Sequence, residues 1–145
     1  MTRPIRLLLV EDNPGDVELI KEILDESLQN FEITALADGA EALEYLLHRR
    51  LNDRSVNPLP DLMLLDLNLP RVSGHAVLKA LRASDTARTL PVIVVTSSDA
   101  THDIETSYAL GANCYLTKPG DLGALRSVIL AVAEFWLGVV KLPRM

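Results

Sequence analysis

Four short aliphatic runs, each closed by a polar or charged cluster, limit what this chain can fold into. Ile5 to Val10 ends in Glu11-Asp12, and Leu62-Met63-Leu64-Leu65 ends in Asp66. Val92 to Val95 ends in Thr96-Ser97-Ser98, and Cys114-Tyr115-Leu116 leads into Thr117-Lys118-Pro119. Helical spacing fills the intervals, and short aliphatic strands alternating with helices are the signature of repeated βαβ units. In a parallel sheet wrapped by helices the carboxyl ends of the strands gather at one edge, where ligands bind. An acidic pair, a candidate nucleophile, a hydroxyl and a cation are thereby delivered to one small site. That set suits Mg²⁺-assisted transfer of a phosphoryl group onto Asp66.

The remaining elements follow from local signals. Asn13-Pro14 reads as the N-cap and first residue of a helix that carries Val17, Ile20, Ile23 and Leu24 at helical spacing. Phe31 to Leu36 alternates apolar with polar residues and reads as an edge strand. Asp38-Gly39-Ala40-Glu41 resembles a capping box opening a second helix. Arg49 to Pro60 is a long polar stretch, read as a surface loop with partner recognition as the other possibility. A third helix is expected from Gly74 to about Leu81 and a fourth from about Asp103 to Leu110, with Gly111 as its stop. A fifth starts near Asp121.

Bulk properties narrow the class. The 145 residues fit one domain, 1–145, large enough to bury a real core. With 14 basic and 20 acidic side chains the net charge is −6, so direct nucleic-acid binding is disfavoured. One cysteine, Cys114, excludes an internal disulfide and suits a reducing, cytoplasmic compartment. Its place within an apolar strand favours packing over redox chemistry. The N-terminal run is too short for a secretory signal, and nothing approaches about 18 uninterrupted apolar residues, so no membrane association is expected. His48, His75 and His102 are far apart in sequence and read as surface residues.

Taken together, L-L-L-V-E-D, L-L-D-L-N-L-P, V-V-T-S and Y-L-T-K-P resemble the motifs of the receiver domain of two-component response regulators, over nearly the whole chain. The resemblance implies an α/β, flavodoxin-like, doubly wound five-stranded parallel sheet of order 2-1-3-4-5 with five helices. It implies Asp66 as the phosphoacceptor, fed by the phosphohistidine of a sensor histidine kinase. It implies a Mg²⁺ site from Asp12 directly, Glu11 through water, Asp66 and the backbone carbonyl of Asn68; hard oxygen donors suit that ion. Lys118 becomes the active-site lysine, its bond to Pro119 being cis in the family. Thr96 becomes the switch hydroxyl and Tyr115 the aromatic that moves with it. The domain then catalyses only its own phosphorylation and dephosphorylation.

Other readings compete less well. A haloacid-dehalogenase-type enzyme needs a second aspartate two positions beyond Asp66, where Asn68 cannot act as a general acid. A flavodoxin must cradle a phosphate in its first loop, and Glu11-Asp12 would repel that anion. A receiver-like binding module that is never phosphorylated is opposed by the full set Asp12, Asp66, Thr96 and Lys118.

The fifth helix suggests where the output lies. From Asp121 to Val140 it would span about 30 Å, with Leu122, Leu125, Val128, Ile129 and Val132 facing a core. Phe135, Trp136, Val139 and Val140 continue the stripe and suggest an interface, with packing onto the same monomer as the other possibility. Only a short tail follows, so a single-domain regulator acting by protein–protein contact is expected. A homodimer through helix four, strand five and helix five would use that stripe. The ending F-W-L-x-x-V-x-L-P, the long polar loop and D-L-N-L-P are similar to the small response regulators of bacterial and cyanobacterial phytochromes. That implies a red-light-sensing kinase as donor.

Overall fold

A computed structural model describes residues 3–47 and 59–143. Most of the polar stretch from Arg49, and His48 with it, lies outside the described residues, as does the end of the tail.

The strands are β1 (Ile5–Val10), β2 (Phe31–Leu36), β3 (Leu62–Leu65), β4 (Val92–Thr96) and β5 (Cys114–Thr117). All pair in parallel in the order β2-β1-β3-β4-β5, the doubly wound order expected from the resemblance. The helices are α1 (Pro14–Asp25), α2 (Gly39–Leu47), α3 (Gly74–Arg82), α4 (Thr101–Ala109) and α5 (Leu122–Val132). Side chains alternate across a strand, and the core divides accordingly. Leu8, Val10, Met63, Leu65, Val92 and Val94 face α2 and α3, whereas Leu7, Leu9, Leu62, Leu64, Ile93 and Val95 face α1 and α5. Continuous burial of β3 and β4 explains why their sequences are unbroken aliphatic runs. β2 lies at the edge and its burial alternates, as its sequence does.

The caps are those the sequence suggests. Asn13 accepts from the Asp16 N–H at 3.2 Å, and Asp38 from the Glu41 N–H at 2.7 Å. Glu41 reaches back to the Ala37 N–H at 3.1 Å, closing the box one residue ahead of Asp38. Gly111 follows α4 with φ 104°, a conformation that favours glycine.

The chain from α5 onward departs from expectation. After Val132 the helix widens into a π-helical segment, Ala133–Val139. Its i→i+5 bonding breaks the 3.6-residue spacing, so the next buried large side chain after Val132 is Leu137, five positions on. The expected stripe therefore splits. Phe135 and Val139 are exposed, Val140 is half-buried, and Trp136 packs against the core with its ring edge-on to Phe135 at 5.8 Å. Leu122, expected in the core, is 60% exposed because it lies in the first turn, beyond the sheet's cover. Leu122–Val139 is long and apolar enough to cross a membrane by length and composition. Here Leu125, Ile129, Val132, Ala133 and Leu137 spend that apolarity on the sheet.

α4 is the least amphipathic in outcome: its single buried residue is Ser107. The Ser107 hydroxyl donates to the Asp103 carbonyl at 2.7 Å and meets His75 Nε2 at 2.9 Å. His75, expected on the surface, is thus a half-buried link between α3 and α4, while His102 is exposed as expected.

Candidate phosphoacceptor and metal site

The strand register assembles the site. Val10 pairs with Leu65, and the Asp66 N–H donates to the Val10 carbonyl at 3.0 Å, so Glu11-Asp12 and Asp66 lie side by side. One ligand oxygen from each of Glu11, Asp12 and Asp66 lies within 4.8 Å of the others. Glu11 and Asp66 are buried and Asp12 is exposed. Three converging carboxylates of this kind are a hard-oxygen donor set, which fits a divalent cation such as Mg²⁺ or Mn²⁺. Asn68 is exposed at the same edge, and its N–H donates to Asp66 Oδ1 at 3.2 Å.

Lys118 supplies the counter-charge. Its ammonium donates to Glu11 Oε1 at 2.6 Å, Asp16 Oδ2 at 3.0 Å and Asp66 Oδ2 at 3.3 Å. Burial opposes the Lys118 charge, but the bonds to Glu11 and Asp16 and the nearby Asp66 outweigh it, so its pKa lies above the usual lysine value. Burial pushes the Glu11 carboxyl up to about 7, against the pull of Lys118, and Asp66 adds to the rise. Like charges packed in a poorly solvated space produce this pattern. A divalent cation would relieve it.

The Lys118–Pro119 bond is not cis; among the described residues no peptide bond is. The lysine is aimed by other means. Its own N–H donates to the Thr96 carbonyl at 2.6 Å, which carries the chain straight on from β5, and three carboxylates draw the ammonium inward.

Thr96 belongs to β4 rather than to the loop beyond it, and it is fully buried. Its Oγ1 is, among the described residues, a buried side-chain polar atom with no hydrogen-bond partner. Such a group costs about 1–3 kcal/mol while nothing bonds to it. Tyr115 is half-buried, and its hydroxyl donates to the Ser98 carbonyl at 2.7 Å. Burial of the ring raises the phenol's pKa.

Two residues escaped the sequence reading. Asp16 shares Lys118, and the available signal was its spacing: four positions after Asp12, in the first turn of α1. Gly74 lies against the backbone of Asp66, where an added Cβ would come within 2.3 Å of the Asp66 carbonyl oxygen and 2.7 Å of Leu67 Cα. No sequence signal announces that approach. The loop between Asp66 and α3 is also tied to α2 by Arg71, which pairs with Asp38 at 2.9 Å and holds φ 65°.

Residues 7–130 match the response regulator receiver domain family. The response regulator Rcp1 of Synechocystis sp. is 39% identical over 140 residues, which span 97% of this chain and 94% of that protein. The Mn²⁺-bound crystal structure of Rcp1 superposes with a TM-score of 0.89 at 38% identity, covering 97% of this chain and 99% of that one. The phosphorylated cyanobacterial phytochrome response regulator RcpA gives a TM-score of 0.87 at 38% identity and the same coverage.

Proposed function

The chain belongs to the response regulator receiver-domain family, and from that premise we propose that it is a phosphorylation switch whose acceptor is Asp66. The carrying observation is the junction of Asp66 with Lys118 on one side and Glu11-Asp12 on the other. An Asp66 oxygen attacks the phosphorus of a phosphohistidine on a sensor histidine kinase. The O–P bond forms as the P–N bond breaks, and the imidazole leaves with the electron pair. Such transfers need positioning and charge neutralisation above all.

Glu11, Asp12, Asp66 and the Asn68 carbonyl would hold Mg²⁺, which when bound neutralises charge on the transferred oxygens. Lys118 gives a second cation to a phosphoryl oxygen. The unpartnered Thr96 hydroxyl gains an acceptor only once the phosphoryl group arrives, and that differential contact shifts the population between two packings. Tyr115 follows by leaving its bond to Ser98. Because the chain is related to phytochrome response regulators, a red-light-sensing kinase in the cytoplasm is the favoured donor.

The output is protein–protein contact by the receiver domain. A homodimer through α4, β5 and α5 would use Phe135 and Val139, the exposed members of the stripe, with Val140 at its rim and Trp136 as packing beneath. Intact-mass measurement after treatment with acetyl phosphate and Mg²⁺ tests the switch. One phosphoryl group per chain is expected, and undiminished labelling of Asp66→Asn would remove the assignment.

A further inference from the structure

An ammonium group has three N–H donors, and those of Lys118 go to Glu11, Asp16 and Asp66. Asp16 differs from the other two. It stands outside the acidic trio whose oxygens converge, and its side chain is one-third exposed whereas those of Glu11 and Asp66 are buried. Its backbone is fixed by the bond from its N–H to Asn13 Oδ1. From that first turn of α1 it reaches across a cleft that Ser97, Pro119 and Leu122 also line.

Lys118 and a divalent cation both draw on the carboxylates of Glu11 and Asp66. An ammonium drawn wholly onto those two carboxylates would compete with the metal and would mask the nucleophile. Asp16 gives Lys118 a partner the metal does not need. The contact to Asp66 is in fact the longest of the three, at 3.3 Å.

We propose that Asp16 is a positioning residue that tethers Lys118 toward α1 and off Asp66, keeping Asp66 open to the divalent cation and to the phosphoryl donor. The proposal rests on the reading of Asp66 as phosphoacceptor and adds to it a residue acting mainly through Lys118. Its function differs from that of a metal ligand, because most of its effect must be lost when Lys118 is gone.

Calorimetric titration of Mn²⁺ into the full chain reads the tether without any phosphoryl transfer. Asp16→Asn keeps the shape and removes the charge, and it should weaken Mn²⁺ binding about fivefold, a size typical of coupled neighbours. Asp16→Glu should restore most of the affinity. In a Lys118→Met background, Asp16→Asn should cost clearly less than with Lys118 present, what remains being the direct pull of the Asp16 charge on the cation. An equal loss in both backgrounds, or no loss with Lys118 present, overturns the tether. Should Lys118→Met not fold, the Lys118 ammonium resonance of the metal-free chain takes its place: it should shift on Asp16→Asn, and an unchanged resonance overturns the proposal. Failure of the Asp66 reading would appear separately, as absent labelling of the wild-type chain by acetyl phosphate.

Discussion

β3 carries a buried aspartate at each end, and the two live in opposite circumstances. Asp61, just before the strand, is fully buried and saturated: Arg3 donates to it twice, at 2.7 and 2.8 Å, and the Arg6 N–H donates at 2.8 Å. Asp66, just after the strand, is nearly as buried yet shares one ammonium with Glu11 and Asp16, at the longest distance of the three. A buried charge is tolerated when paired and costly when not. At Asp61 the fold has closed the account with a guanidinium. At Asp66 it leaves negative charge in excess, which only a cation from solution can offset. The first arrangement locks the N-terminal segment to β3, and the second is what the proposed metal binding and phosphoryl transfer would draw on.

The sharpest test exchanges the two carboxylates' fates. Asp66→Asn should abolish phosphoryl uptake from acetyl phosphate by intact mass, whereas Asp61→Asn should still be labelled; loss of labelling in both would erase the distinction. Metal binding should divide in the same way. Asp12→Ala is expected to weaken Mg²⁺ by at least about tenfold through loss of a hard ligand, while Asp61→Asn leaves the titration unchanged.

Stability should divide in reverse. Asp61→Ala strips Arg3 and the Arg6 N–H of a buried acceptor and should cost about 2–3 kcal/mol in urea unfolding. The partial exposure of Arg3 argues against a larger loss. Metal-free Asp66→Asn should be as stable as the wild type or more so, by up to about 1 kcal/mol, since it removes one of several crowded like charges. A large destabilisation there would mean that Asp66 is a structural partner of Lys118 and the contrast is false. The smallest effect concerns the outer face. Phe135→Ser exchanges a largely exposed side chain, so folding should lose no more than about 1 kcal/mol, mostly the edge contact with Trp136. Any weakening of self-association, read by sedimentation, would then come from the surface alone.

Much of this contrast was legible beforehand, for identifiable reasons. Strand-end residues announce themselves because a polar side chain closing an aliphatic run must lie at a sheet edge, and parallel connections send all such edges to one side. Glu11, Asp12, Asp66, Thr96 and Lys118 were found in that way. Asp61 gave no such signal: a carboxylate in front of a buried strand reads as loop until Arg3, far away in sequence, is seen to cover it. Asp16 was hidden for the opposite reason, since acidic residues in a first helical turn are ordinary. Gly74 could be read as the start of a helix and not as a support beneath Asp66, because the approach is between backbones distant in kind and unmarked by side chains.

What the sequence by itself determined is the order of elements, the sheet edge that bears the chemistry and the residue types gathered there, because these follow from periodicity and from the handedness of parallel connections. Only the tertiary structure decided which charges share Lys118, that the lysine reaches the site from a peptide bond that is not cis, and that the last helix changes pitch after Val132 to turn Leu137 inward and leave Phe135 and Val139 outside. Those outcomes depend on distances of a few tenths of an ångström between groups far apart in the chain, and on how a helix settles against a twisted sheet. Local pattern carries neither quantity.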